Sequence, residues 1–263
     1  MAYQMNGDVQ NDDRILERNI LLKLEYKGTN FAGWQIQAKD RTVQGVIKGN
    51  LEKFLRHPVK LIGAGRTDAG VHALAQYANF VTHSDISVRD IQYKLNCLLP
   101  LDIAVLSCKE TESFFDSRRD ATFRKYRYQI SERISAIDRE YSWILARKLN
   151  LELLRDMADI IRRNRQFDNF CKTKSLKENN QCLINESCWS RKGGFLRYEI
   201  KANRFLHNMV RLLVGSMLAV HDNLISLDHF EKMLNLMINE KSKYIAPASG
   251  LFLVEVGYER GNK

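Results

Sequence analysis

The 263-residue sequence predicts an α+β fold of two ferredoxin-like (RRM-like) halves, whose antiparallel sheets pack around a central basic cleft. Three observations predict it. A β-α-β-β-α-β order can be read between residues 19 and 109. A second, similar alternation of strands and helices runs from 121 to 258 with no low-complexity linker before it. Lys and Arg number 41 against 31 Asp and Glu, a formal charge of +10. The organisation that follows is a flexible polar leader at 1–18, one half at 19–115 and the other at 116–263.

Ile20, Leu22, Leu24 and Tyr26 alternate with other residues over 19–27, as a strand requires. Ile47, Leu51, Phe54 and Leu55 fall at helical spacing over 43–56. The apolar run 59–64 and the segment 74–82 read as strands. Ser87 can cap a helix over 88–98 with Ile91, Leu95 and Leu98 on one side, and Pro100 stops it before a strand at 103–109. In the second half 121–131 alternates as a strand. A helix over 151–164 carries Leu153, Leu154, Met157, Ile160 and Ile161 on one face. Strands 182–191 and 195–201 meet at Gly193-Gly194, a hairpin signal. Helices over 206–221 and 227–239, the latter capped by Ser226, precede a final strand from Leu251 to Tyr258.

The charge points to a polyanionic partner, because Lys and Arg that neutralise phosphates release counterions and drive binding. The basic residues cluster. Arg118, Arg119, Arg124, Lys125 and Arg127 are interleaved with Phe123, Tyr126 and Tyr128; further groups are Arg162, Arg163, Arg165 and Lys172, Lys174, Lys177. No apolar run reaches the roughly 18 residues of a membrane span, and Arg211 interrupts the stretch from Met209 to Val220. The polar first residues do not read as a signal peptide, so a cytoplasmic location is expected. Five cysteines without a C-x-x-C pair predict neither a disulfide framework nor a zinc site.

The densest chemistry lies in Gly63-Ala64-Gly65-Arg66-Thr67-Asp68-Ala69-Gly70-Val71-His72. Glycines after a strand describe a tight loop, and phosphate binding is the first use to test. The dinucleotide fingerprint needs glycine where Asp68 stands, and the P-loop needs Lys and Ser/Thr where Val71 and His72 stand. What remains is Arg66 and Asp68 on a constrained bend. A carboxylate held there can attack an electrophilic carbon or take a proton, and it can equally cap a turn.

This run resembles the signature of the TruA family of tRNA pseudouridine synthases, and it does not stand alone. Upstream, Tyr26 to Gln35 and Arg41 to Gln44 resemble the family's opening motifs. Downstream, Leu99-Pro100-Leu101-Asp102-Ile103, Arg124-Lys125-Tyr126-Arg127-Tyr128, Asn203-Arg204-Phe205-Leu206, Met209-Val210-Arg211 and Ala246-Pro247-Ala248-Ser249-Gly250-Leu251 fit in order, so the likeness spans about 20–258.

The resemblance implies a cofactor-independent, metal-free isomerisation. Uridine leaves the stack, the bond from uracil N1 to ribose C1′ breaks, and the base turns and rejoins through C5. It implies catalytic roles for Asp68, as essential carboxylate, and for Arg211, as its cationic partner. Attack on the sugar and removal of the C2′ proton are both open to such an aspartate. Tyr126 is implied to stack on the uracil, Leu253 to floor the pocket, and Arg66 to fill the space the base vacates. Arg118, Arg124, Lys125 and Arg127 would hold phosphates. The implied substrate is the tRNA anticodon arm at sites 38, 39 and 40, and the implied assembly a homodimer.

Departures from the family pattern occur at Phe115-Asp116-Ser117-Arg118, Gln166-Phe167-Asp168-Asn169-Phe170 and Val220-His221-Asp222-Asn223. They touch RNA contacts and substrate range, not Asp68, Tyr126 or Arg211. The competing reading is a non-catalytic RNA-binding protein, since such modules also use basic and aromatic residues for recognition. A metal-dependent nuclease would need an acidic cluster that the sequence lacks.

Overall fold

The computed structural model describes residues 17–172 and 180–258. The leader expected at 1–18 therefore lies outside the described residues except for its last two, and so do Lys174 and Lys177. The first half comprises β1 (Arg18–Tyr26), α1 (Val43–Leu55), β2 (Ile62–Gly63), β3 (His72–Thr82), α2 (Val88–Leu98) and β4 (Ile103–Thr111). The second comprises β5 (Ala121–Ser131), β6 (Trp143–Ile144), α3 (Leu151–Arg163), β7 (Ile184–Lys192), β8 (Phe195–Ala202), α4 (Met209–His221), α5 (Leu227–Leu234) and β9 (Leu251–Tyr258).

Local chemistry explains most of these boundaries. Thr42, Ser87, Asn150 and Ser226 each accept a backbone N–H in the first turn of α1, α2, α3 and α5, satisfying donors the helix cannot use itself. Gly193 and Gly194 both take positive φ, 61° and 79°, which a tight hairpin turn between right-twisted strands requires. No helix among the described residues is long and apolar enough to cross a membrane.

The strands form one α+β architecture with a mixed sheet in the order β4-β1-β3-β9-β5-β8-β7, with β2 on β3 and β6 on β5. Two separate sheets facing each other were expected; the observed sheet is continuous. The seam is a short parallel pairing of His72 with Phe252 and Ala73 with Leu253. Joining edge to edge satisfies backbone groups that two free edges would leave open.

Three further differences have local causes. The apolar run 59–64 is mostly irregular, with only Ile62 and Gly63 in the ladder. Side chains of α1 take the neighbouring backbone groups instead: Glu52 accepts Val59 N–H at 2.8 Å and Gln44 donates to Leu61 O at 2.8 Å. Val59 and Leu61 are apolar because they are buried, not because they are strand. The helix expected from 206 starts at Met209, because Asn208 adopts φ 65°. The last helix ends at Leu234 rather than 239; Asn235 caps it, and Leu236 follows at φ 53°.

The departures from the family pattern are locally satisfied. Asp116 accepts the N–H groups of Arg118 and Arg119 at 2.9 and 3.0 Å, and Ser117 donates from Oγ to Asn79 at 2.7 Å. Asp222 pairs with Arg147 at 2.6 Å. The core below the site is α4, buried at every position from Met209 to Val220 except Arg211.

Candidate active site

The loop from Gly63 to Val71 is held from four directions. Tyr26 Oη lies 2.7 Å from Thr67 Oγ1, and Trp34 N–H donates to Thr67 O at 3.1 Å. Gln76 donates to Gly65 O at 2.8 Å, and the Arg124 guanidinium donates to Ala64 O from Nη2 at 2.7 Å and Nε at 3.2 Å. Asp68 thus sits on a bend fixed by side chains of β1, β3 and β5 and by the backbone of the 28–34 loop. That loop can come so close only because Gly33 has no side chain. A Cβ there would lie 2.6 Å from Thr67 O, and φ is +95°.

Gly33→Ala is therefore expected to cost about 1–3 kcal/mol of stability and to lower turnover by displacing Thr67 and Asp68. Gly49 in α1 has open space where its Cβ would stand. Gly49→Ala should leave turnover unchanged and raise stability by roughly 0.5–1 kcal/mol. Melting curves and steady-state rates of the two variants check the contrast.

Asp68 opens into a cavity of about 1010 Å³ whose walls include Arg66, Tyr126, Phe205, Arg211 and Leu251. Its carboxylate is 18% exposed, with Oδ2 3.7 Å from Nη1 of Arg211 and Oδ1 3.2 Å from Nε2 of His207. Arg211 is itself held. Its Nε donates to Ala246 O at 2.8 Å, and its carbonyl accepts Ala246 N–H at 3.0 Å. Tyr126 is buried with its ring edge-on to Phe205, centroids 5.1 Å apart. Burial first, then the neighbouring Tyr26 and the charge of Asp68, push its phenol far above the ordinary value, so it is neutral at physiological pH. Among the described residues no cluster of His, Cys, Asp or Glu is suited to a metal ion.

The structure thus brings together Asp68, Arg211, Tyr126 and Arg66. It treats the other expected residues differently. Leu253 is fully buried, pairs with Tyr126 across the sheet and does not line the cavity; Leu251, two residues earlier, does. Arg118 is exposed at the cavity rim. Arg124 lines the cavity but spends its guanidinium on the carbonyls of Ala64, Ala121, Asn203 and Arg118. It braces the loop instead of standing free for phosphate. Lys125 and Arg127 lie on the opposite strand face. Lys125 pairs with Glu186 at 2.8 Å and both pair with Glu199 at 3.1 Å, where carboxylates offset their charge. Lys172 and Arg204 add cations to the cavity lining.

His207, Phe205 and Leu251 are among the site residues that sequence reasoning missed. The available signal was position: His207 falls between the motifs 203–206 and 209–211, and Leu251 opens the last strand directly after Ala246 to Gly250.

A mixed α+β sheet carrying an arginine-paired carboxylate in a cation-lined cleft is an arrangement suited to an enzyme that acts on a polyanionic substrate. Comparison with known proteins makes the class specific. The family model described as tRNA pseudouridine synthase matches residues 24–118 and again 164–259. A tRNA pseudouridine synthase A of Chlorobium luteolum is 39% identical over 242 residues, covering 92% of this chain and 96% of the relative. The proteins of the same name from Azobacteroides pseudotrichonymphae and Parabacteroides distasonis are 37% and 35% identical, over 89% and 92% of this chain and 94% and 96% of the relatives. The chain belongs to the tRNA pseudouridine synthase family.

Proposed function

We propose that this enzyme isomerises uridine to pseudouridine in the tRNA anticodon arm, at positions 38, 39 and 40, with Asp68 as the essential carboxylate and without a cofactor. The observation that carries the reading is the meeting of Asp68, Arg211 and Tyr126 in one cleft, in a chain of this family. The flipped uridine enters over Leu251, and Tyr126 offers its ring face and a protonated hydroxyl. Asp68 engages the sugar, by attack at C1′ or by removing the C2′ proton. Arg211 compensates its charge throughout. The N1–C1′ bond breaks, the base turns, C5 bonds to C1′, C5 gives up its proton and N1 regains one. Arg66 occupies the space left in the RNA stack, while Arg118, Lys172 and Arg204 contact phosphates and so position the arm without reading its bases.

The strand orders β4-β1-β3-β2 and β9-β5-β8-β7 support reading each half, 19–115 and 116–263, as a ferredoxin-like unit. In the first segment α2 packs against β4 and in the second α3 packs against β7, and residues of both halves line the cleft. The enzyme works as a homodimer in the cytoplasm, with one tRNA touching both subunits.

Loss of the C5 proton supplies the test. With tRNA tritiated at uracil C5, purified enzyme should release tritium to water in step with pseudouridine mapped at positions 38 to 40. No release, or product only outside the anticodon arm, would refute the assignment.

A further inference from the structure

Asp68 has two partners, on opposite oxygens. Arg211 faces Oδ2 at 3.7 Å, and His207 faces Oδ1 at 3.2 Å. His207 lies in the turn between β8 and α4, which Asn208 shapes by taking a left-handed φ of 65° as the residue before the helix. That turn lets seven consecutive residues serve one place. Phe205 meets the ring of Tyr126 edge-on, His207 approaches one carboxylate oxygen, and Arg211 approaches the other. The His207 side chain is 47% exposed, against 16% for Arg211, so it stands at the mouth of the cleft and adds little to the core.

We infer that His207 is a positioning residue for Asp68, presenting its Nε2–H toward Oδ1 at 3.2 Å; the inference rests on Asp68 being the reacting acid. An ionised carboxylate only accepts hydrogen bonds, so the ring nitrogen that faces it carries the hydrogen. The torsion that turns a carboxylate plane is soft. With Arg211 alone on Oδ2, the plane could swing away from the sugar. A second donor on Oδ1 fixes it, and orientation of a reacting group is worth a large factor in rate. His207 forms and breaks no covalent bond in this role. Its half-exposed position lets the ring shift as the nucleoside enters while its nitrogen keeps the oxygen.

The test uses His207→Ala, His207→Asn and His207→Gln in the full-length enzyme, assayed on tRNA. Glutamine carries its Nε2 about as far from the backbone as the imidazole does; asparagine is one methylene shorter. His207→Ala and His207→Asn should lose roughly 10- to 100-fold in kcat, with KM for tRNA and the melting temperature unchanged. His207→Gln should return kcat to near wild type. Full turnover in His207→Ala overturns the inference. A raised KM at unchanged kcat assigns His207 to an RNA contact and overturns it too, as does failure of glutamine to restore activity. Asp68→Asn run in parallel separates the two levels. An active Asp68→Asn defeats the reading of Asp68 itself. An inactive Asp68→Asn beside a fully active His207→Ala defeats only the role of His207.

Discussion

Asp68→Asn is expected to abolish pseudouridine formation, by roughly 10⁴-fold or more, the scale seen when a group that reacts directly is removed. Asparagine keeps the size and the acceptor oxygen of the side chain, so the loop held by Tyr26, Trp34, Gln76 and Arg124 has no reason to move. What it loses is the negative charge. A neutral amide neither attacks a sugar carbon nor removes a proton at useful rates. Binding of tRNA should stay close to wild type, because the cations that line the cavity, Arg66, Arg118, Lys172 and Arg204, are untouched. The variant leaves the Arg211 guanidinium without its counter-charge, but the bond to Ala246 O persists and limits the effect on folding. Product mapping and a tRNA-binding measurement on the same preparation give the answer. Retained turnover would remove Asp68 from the mechanism, whereas joint loss of binding and turnover would show a structural role instead.

Arg211→Leu is expected to lower turnover by roughly 10²- to 10³-fold, the usual cost of removing one preorganised charged donor from a reacting centre. Leucine suits the surroundings, since Val210, Leu212, Leu213 and Val214 are all buried along α4. The helix should therefore persist. The destabilising part is the Ala246 carbonyl, which loses its donor at a cost of about 1–3 kcal/mol, a few degrees of melting temperature for a chain of this size. Arg211→Lys is the sharper control. It keeps the charge, yet a single ammonium cannot hold Ala246 O and face Asp68 with the geometry of a guanidinium fork. It should recover only part of the rate. Wild-type kcat in either variant would show that compensation of Asp68 by Arg211 is dispensable. A melting curve collapsed far beyond a few degrees would move the effect from chemistry to folding.

Much of this molecule is legible along the chain, because its elements obey local rules. The strand Ala121–Ser131 appears where alternation places it. The helices begin behind Thr42, Ser87 and Ser226, whose oxygens serve donors only three residues away. The hairpin turns at Gly193 and Gly194, where both backbones need positive φ. Period and capping are short-range physics, and a sequence carries them directly. The loop with Asp68 is legible for a similar reason, since its glycines and its acid lie within eight residues.

Other features needed the tertiary structure, because contacts far apart in sequence decide them. Alternation says that Arg124 and Tyr126 share a face; it does not say that four carbonyls will claim the Arg124 guanidinium. It separates Lys125 and Arg127 from Tyr126 without saying which face meets the cleft, and the pairing with Glu186 and Glu199 settles that. An irregular register between β5 and β9, falling between Lys125 and Tyr126, leaves Tyr126 opposite Leu253, and of the two leucines it is Leu251 that lines the cavity. The fusion of two sheets through His72 and Ala73 is likewise invisible to any local pattern. The sequence alone determined most of the elements and the loop that carries Asp68. Long-range pairing, which selects one partner among many for each edge and each charge, decided how the cleft is walled and which cations line it.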